Sequence, residues 1–166
     1  MDREKKHPLR TAGEIAAAII LCQAAGMIGA LFTIKAIPTW YAALEKPSFN
    51  PPNWIFGPVW LTLYTMMGVS LYLVWREREK PGGSRAALWI FGLQLFLNAI
   101  WTPVFFGARL LFPAFIVISL LWFFIILTIL SFRKHNRIAA ILLIPYLLWV
   151  SFASILNLSI WLLNRT

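Results

Sequence analysis

The polar side chains that interrupt the apolar stretches are the first candidates for chemistry. Gln94, Asn98 and Thr102 follow one another at a spacing of four residues, which would place them on one face of a helix. Ser154 and Asn157 lie three residues apart in a later apolar stretch. Neutral groups of this kind either bond one helix to another or orient a ligand in a pocket. Spacing alone leaves both roles open.

Ionisable side chains are missing from the apolar stretches, except at their edges. Ion-coupled carriers place such a group inside the membrane, and general acid–base catalysis needs a titratable side chain. The sequence therefore predicts no catalytic residue and argues against a carrier driven by protons or sodium. His7 and His135 lie far apart in polar segments, so we predict neither a metal site nor a required cofactor.

Six of the nine tryptophans can be sorted by their position in the apolar stretches. Those near the ends of apolar stretches are typical of an interfacial aromatic belt: Trp75, Trp89 and Trp161. Trp101 and Trp149 lie deeper, whereas Trp60 lies near the start of the second span, with Tyr64 one helical turn after it. A buried indole N–H needs an acceptor, which either the scaffold or a ligand can provide. Aromatic and polar groups from three stretches are thus expected to cluster around an apolar pocket.

The elements that must position these residues are membrane-spanning helices. The 166-residue chain is 60% hydrophobic and 13% charged, whereas soluble domains carry about 25% charged residues. Hydropathy predicts an all-α membrane protein, a single domain over 1–166 with five transmembrane helices. The predicted spans are 15–34, 58–75, 86–107, 110–132 and 138–163. A signal peptide is the alternative for the first span, but its apolar run is longer than usual.

Basic residues predict the orientation of the bundle. The net charge is +9, but the basic residues form short clusters between apolar stretches, as topology signals do, so we predict no nucleic-acid partner. Eleven of the 15 Lys and Arg residues fall in the N-terminal tail and the second and fourth loops. The positive-inside rule then places the N-terminus in the cytoplasm, and the first loop and C-terminus outside.

The first loop, predicted over 35–57, is unlike the short later loops. It contains most of the stretch KPSFNPPNWIFGPVW, and it is rich in proline and aromatic residues. Long loops are usually functional or disordered, and disordered segments are poor in aromatic residues. We therefore expect an ordered cap over the outer end of the bundle. The residues predicted to form it are Trp40, Pro47, Pro51, Pro52 and Trp54.

Two further patterns concern helix packing. Small residues recur every fourth position in the first span at Ala18, Cys22, Gly26 and Ala30. Such a stripe lets helices approach closely, either within one chain or across a dimer, and we slightly favour the dimer. Pro103 and Pro145 are predicted to interrupt the third and fifth spans.

Three segments carry a resemblance to a known family. They are WYAALEKPSFNPPNWIFGPVW, LQLFLNAIW and LLIPYLLWVSFASILN, which occur in this order along the chain. Together they resemble the family of tryptophan-rich sensory proteins and translocator proteins. The resemblance implies a five-helix bundle, often a homodimer, that binds porphyrins such as protoporphyrin IX. It also implies sterols and benzodiazepine-type drugs as related ligands, in a pocket under the first loop.

The resemblance also assigns residues. It implies that Trp60 and Trp149 are pocket tryptophans, with Asn98 and Trp101 in the third span. In the fifth span it adds Ala153 and Leu156, and Tyr64 joins the site by its position beside Trp60. Some bacterial members are reported to degrade protoporphyrin in light through the two pocket tryptophans, so degradation and porphyrin or sterol transport are the alternatives to a receptor. Leu158 stands where mitochondrial members carry a cholesterol-recognition tyrosine, which weakens the sterol expectation.

Overall fold

A computed structural model describes residues 8–79 and 83–165, and within these ranges the secondary structure is entirely helical. Six α-helices follow one another: α1 Pro8–Ala36, α2 Phe56–Trp75, α3 Arg85–Thr102, α4 Leu111–His135, α5 Arg137–Leu142 and α6 Ile144–Leu163. Five helical stretches are long and apolar enough to cross a membrane: Leu9–Tyr41, Asn53–Trp75, Arg85–Gly107, Leu111–His135 and Arg137–Leu163. The predicted all-α membrane fold with five spans is confirmed.

The first two helices are longer than predicted, so the first loop is shorter. After α1, a π-helical turn over Ile37–Tyr41 continues the first span, and a 3₁₀ turn over Asn53–Ile55 leads into α2. Helix α2 begins at Phe56, not at Pro58. Pro58 lies in the first turn of α2, where a backbone N–H has no intrahelical acceptor, so proline does not have to mark the start. Only residues 44–52 lack helical structure in this connection.

Both interior prolines coincide with departures from regular α-helix. Helix α3 ends at Thr102, and Pro103 begins a π-helical turn that continues to Gly107. The last span is interrupted at Leu143, two residues before Pro145, so that it consists of α5 and α6. The missing proline N–H and the clash of its ring with the preceding turn explain these interruptions.

The helices run up and down, so five helix ends meet at one end of the bundle. We call this the loop end: α1, α3 and α6 finish there, α2 and α4 begin there, and residues 44–52 lie across it. At the opposite end the helices pack closely. Phe91 of α3 stacks on Phe132 of α4 with ring centroids 5.6 Å apart, and the Ser70 hydroxyl donates to the carbonyl of Ala139 at 2.8 Å.

The small-residue stripe of α1 packs within the chain at two of its four positions. Cys22 is fully buried, and a Cβ on Gly26 would lie 2.3 Å from Cε2 of Tyr64. Neighbouring Gly29 faces Thr102 of α3, whose hydroxyl would lie 3.0 Å from a Cβ there. Cys22 and Gly26 therefore pack against other helices of the same chain, whereas Ala30 is exposed, so a dimer contact through the rest of the stripe stays a prediction.

Candidate ligand-binding cavity

A cavity of about 420 Å³ opens between α1, α2, α3 and α6 at the loop end. This volume lies within the range of roughly 300–1,000 Å³ that is typical of small-molecule sites. None of the described residues that line it carries a charged side chain. Most of the walls are aromatic and aliphatic, with a few hydroxyl and amide groups from Gln23, Thr33, Asn53, Thr102 and Asn157.

Aromatic rings from three helices form the walls. On α2, Trp60 stacks on Tyr64 with centroids 5.3 Å apart and 25° between the ring planes. On α6, Trp149 meets Phe56 edge to face at 5.9 Å. Trp101 of α3 lies 5.3 Å from the ring of Phe105. Rings supported in this way by other rings have little freedom to collapse into the space between them, because each holds its neighbour at van der Waals distance.

Behind Tyr64, a chain of hydrogen bonds joins three helices. The Tyr64 hydroxyl donates to Oδ1 of Asn98 at 2.6 Å, and Nδ2 of Asn98 donates to the Tyr146 hydroxyl at 3.0 Å. Tyr146 in turn donates to Oε1 of Gln94 at 3.0 Å. Asn98 is only 3% exposed and is not among the residues that line the cavity. Its amide instead fixes the position of the Tyr64 ring that does line it.

The three tryptophans of the cavity differ in the use of their indole N–H groups. Trp101 donates to Oδ1 of Asn157 at 3.2 Å, and Nδ2 of Asn157 donates to the carbonyl of Leu111 at 2.9 Å. The protein itself therefore provides the acceptor for the indole N–H of Trp101. Within the described residues, neither Trp60 nor Trp149 donates its N–H to a protein acceptor. These two donors are available to a ligand that carries an acceptor.

One wall of the cavity is formed by α1, and no residue of α1 was among those predicted from the sequence to bind ligand. Nine residues of the first span line the cavity, from Gln23 to Tyr41. Gln23 donates from Nε2 to the carbonyl of Leu61 at 2.9 Å and to the Thr65 hydroxyl at 3.1 Å, which ties α1 to α2. The small-residue stripe was the available signal, because glycines that face Tyr64 and Thr102 mark the side of α1 that meets the site.

The cap over the loop end is held by specific contacts. Tyr41 donates its hydroxyl to Oδ1 of Asn50 at 2.8 Å, and Lys46 donates from Nζ to the carbonyls of Ala42 and Leu44 at 3.1 and 2.7 Å. Asn164, just after α6, accepts from the Glu45 N–H at 3.0 Å and donates to the Glu45 carbonyl at 2.9 Å. These two hydrogen bonds between the Asn164 side chain and the Glu45 backbone join the first loop to the end of α6.

The residues predicted to form the cap have different surroundings. Trp40 lies on the π turn after α1, with its ring edge-on to Phe105 and Phe106. Pro47, Pro51 and Pro52 lie in the irregular stretch; the carbonyls of Pro47 and Pro52 accept from the N–H groups of Asn50 and Ile55. Trp54 is 74% exposed and does not line the cavity. Phe49, which was not among the predicted cap residues, packs edge-on against Phe152 of α6.

Six of the seven residues predicted to bind ligand line this one cavity: Trp60, Tyr64, Trp101, Trp149, Ala153 and Leu156. Asn98 is the exception, because it lies behind Tyr64 and accepts a hydrogen bond from the Tyr64 hydroxyl. Within the described ranges, no group of three or more His, Cys, Asp or Glu side chains is arranged to hold a metal ion. What the arrangement offers is an apolar, aromatic slot with two indole donors.

Comparison with known proteins places this architecture in a family. The family model described as the TspO/MBR family matches residues 18–162. The chain is 44% identical over 150 residues to the tryptophan-rich protein TspO of Chlorobaculum tepidum, an alignment that covers 90% of this chain and 95% of that protein. It is 42% identical to the protein of the same name from Archaeoglobus fulgidus, covering 91% and 97% of the two chains.

A human relative is similar over a smaller part of the chain. The human translocator protein is 43% identical over 125 residues, which is 74% of this chain and 73% of the relative. The family match includes part or all of each of the five helical stretches that are long enough to cross a membrane. The chain is therefore an integral membrane protein and belongs to the TspO/MBR family.

Proposed function

We propose that the protein is a membrane receptor or sensor that binds porphyrins, protoporphyrin IX and haem-type tetrapyrroles among them, in the aromatic cavity at the loop end. Related apolar ligands, such as sterols or benzodiazepine-type drugs, would occupy the same space. Family membership supports a sensor or receptor role at the coarser level, since one relative is called a tryptophan-rich sensory protein. The porphyrin would be a ligand and not a required cofactor.

The observation that carries the proposal is the position of three tryptophans around one uncharged cavity. Trp60, Trp101 and Trp149 come from three different helices, and the space between them is about 420 Å³. A planar macrocycle gains from stacking on such rings about 0.5–1.5 kcal/mol per aromatic pair beyond burial. The indole N–H groups of Trp60 and Trp149 can donate to a ligand carbonyl or carboxylate, which would orient the macrocycle.

Titration of the purified protein with protoporphyrin IX tests this proposal. We expect the ligand to quench tryptophan fluorescence, and Trp60→Phe combined with Trp149→Phe to weaken binding about tenfold, the effect of losing roughly 1.4 kcal/mol. The control variant also replaces two tryptophans, Trp75→Phe and Trp89→Phe, which lie at solvent- or lipid-exposed positions away from the cavity. Unchanged affinity and quenching in the Trp60/Trp149 variant would show that the porphyrin does not bind in this cavity.

The same preparation separates the alternatives of transport and degradation. Transport requires protein-dependent movement of protoporphyrin across reconstituted vesicles, whereas a receptor binds without such flux. Degradation requires a new tetrapyrrole product in light or in the dark, and Trp60 and Trp149 would be the residues whose replacement abolishes it. Binding that is saturable, without flux and without product, is the result expected for a receptor.

Orientation and assembly complete the proposal. The distribution of basic residues supports a cytoplasmic N-terminus with the cap on the outer side, although Arg3, Lys5, Lys6 and Lys80, which contribute to that bias, lie outside the described residues. The resemblance to dimeric members supports a homodimer. Any dimer contact would have to use a surface other than Cys22, Gly26 and Gly29, which pack within the chain.

A further inference from the structure

A second cavity, of about 310 Å³, lies at the loop end on the outside of the bundle. It is bounded by the last turns of α1 and by the turn that connects α3 to α4. Phe106 lines both this cavity and the larger one, so the two are separated by a shared aromatic wall. Unlike the larger cavity, it is lined by two cationic side chains, Lys35 and Arg109.

Neither cation is paired with a carboxylate of the residues that the structure describes. Among the described residues, the ion pairs join Arg10 to Glu14 and Arg78 to Glu79, and none reaches Lys35 or Arg109. Lys46, at the same end, differs from them because it donates to two backbone carbonyls. Two basic groups beside one pocket repel each other, so the pocket favours an anion that bonds to both.

The backbone at Arg109 supports a specific role for this side chain. Arg109 has a φ of 60°, and it is the only described non-glycine residue with a positive φ. A residue other than glycine in this region carries strain, and such strain recurs at ligand sites. The guanidinium carbon lies 5.9 Å from the centre of the Trp40 ring, which helps to hold it above the cavity.

The surroundings of the two cations identify the kind of anion. Leu31 is 70% exposed and Phe32 is 40% exposed, and both line the pocket, so α1 presents an apolar surface there. Lys35 lies in the last turn of α1 and Arg109 lies between the third and fourth membrane-spanning stretches, near the level where the hydrocarbon region gives way to headgroups. A ligand that combines a phosphate with long hydrocarbon chains matches both features.

We propose that this pocket binds the phosphate of an anionic phospholipid, with Lys35 and Arg109 on the headgroup and the acyl chains along the exposed side of α1. Basic groups at a membrane surface attract anionic lipids, and the shape of this pocket would make one molecule bind more tightly than the surrounding lipid. The site is separate from the aromatic cavity. Its test needs no porphyrin and stands or falls independently of the proposed function.

Native mass spectrometry of the full-length protein in detergent tests the site. The probes are phosphatidylglycerol, phosphatidylcholine with the same acyl chains, and inorganic phosphate as a competitor. We expect one phosphatidylglycerol to be retained at concentrations that leave phosphatidylcholine unbound. Inorganic phosphate at a hundredfold excess should not displace it. Displacement by phosphate alone would mean a simple anion site, and equal retention of both lipids would mean no headgroup recognition; either result overturns the proposal.

Charge variants test the two cations. Lys35→Gln combined with Arg109→Gln should weaken the retained phosphatidylglycerol by about tenfold or more, since each basic group near the membrane surface contributes to the attraction. The charge-matched control is Arg133→Gln combined with Arg137→Gln, at the opposite end of the bundle. Unchanged affinity in the first variant, or an equal loss in the control, would refute a specific site.

A third variant leaves both charges in place. A Cβ on Gly107 would lie 2.7 Å from Cδ1 of Phe32, so Gly107→Ala must move the Phe32 ring at the edge of the pocket. We expect this variant to weaken lipid retention about three- to fivefold while the protein stays folded, as judged by its thermal unfolding temperature. Full retention with normal stability would show that the lipid does not enter this pocket.

Discussion

Glycines serve opposite purposes at the two ends of the bundle. In the closely packed part, a Cβ on Gly68 would lie 2.5 Å from the Cα of Ile19, so this glycine lets the backbones of α1 and α2 touch. At the loop end, Gly26 and Gly29 face side chains, Tyr64 and Thr102, and leave room for them. The first arrangement removes space between helices, whereas the second keeps two wall residues in place around a cavity.

Side-chain hydrogen bonds also differ between the packed part of the bundle and the loop end. Tyr64, Asn98, Tyr146 and Gln94 form a buried network along the inner side of the cavity wall. Beyond that network, toward the loop end, the lining has aromatic rings and few polar groups. We infer that bundle stability depends mainly on the closely packed part and the network, and ligand affinity mainly on the aromatic cavity.

The largest effect is expected at Gly68. Gly68→Ala would push the backbone of α1 away from α2, and overpacking of this kind costs about 1–3 kcal/mol. We place this variant near the upper limit, because the contact atom belongs to the backbone and cannot rotate away. The measurement is the thermal unfolding temperature of the purified protein.

Gly92→Ala is the matched control for this prediction. Gly92 also lies inside a helix, but a Cβ there would meet no atom within 4 Å. Alanine has the better helix propensity, so the control should be neutral or stabilised by up to about 1 kcal/mol. If both variants lost stability equally, close packing of α1 on α2 would not be what stabilises this part of the bundle.

A smaller effect is expected at Asn98. Asn98→Leu keeps the size of the side chain but leaves the Tyr64 and Tyr146 hydroxyls without their shared partner. Interhelical hydrogen bonds in membranes average about 0.6 kcal/mol, so the loss of two should cost about 1–2 kcal/mol of unfolding free energy. Protoporphyrin affinity should change less than threefold, since Asn98 does not line the cavity.

Ser119→Ala provides the comparison for Asn98. Ser119 donates only to the carbonyl of Phe115 in its own helix, so its loss should leave both stability and affinity nearly unchanged. An Asn98 variant that bound protoporphyrin tenfold more weakly at normal stability would place this residue in direct contact with ligand. In that case Asn98 would belong to the ligand-binding site as well as to the hydrogen-bond network.

How far the sequence could predict this site depended on the kind of residue. Depth within a span singled out Trp101 and Trp149, and the resemblance added Trp60 to the same predicted pocket. The four-residue spacing of Asn98 and its neighbours gave the helix face but not the identity of the helix opposite. Only the packing of α3 against α2 and α6 shows that Asn98 bonds to two tyrosines.

Other features had only a weak local signal or none. The small-residue stripe that includes Gly26 indicated close packing of α1, but it did not show that this side of α1 lines a cavity. Lys35 and Arg109 are 74 positions apart in the sequence. Both line the second cavity only because two spans end side by side. The start of α2 was misplaced for a different reason: proline is compatible with several positions of a first turn, so Pro58 did not fix the boundary.

The smallest predicted effect concerns the cap. Asn164→Ala removes both bonds to the backbone of Glu45, which join residues 44–52 to the end of α6. Loss of roughly 1 kcal/mol of restraint should raise the dissociation rate of protoporphyrin about fivefold and speed hydrogen exchange in the first loop, with little change in unfolding temperature. Asn164→Asp keeps the acceptor for the Glu45 N–H but loses the donor, so it should lie between wild type and alanine. Faster exchange without faster dissociation would mean that the cap opens without controlling the exit of ligand, which would then leave between the helices.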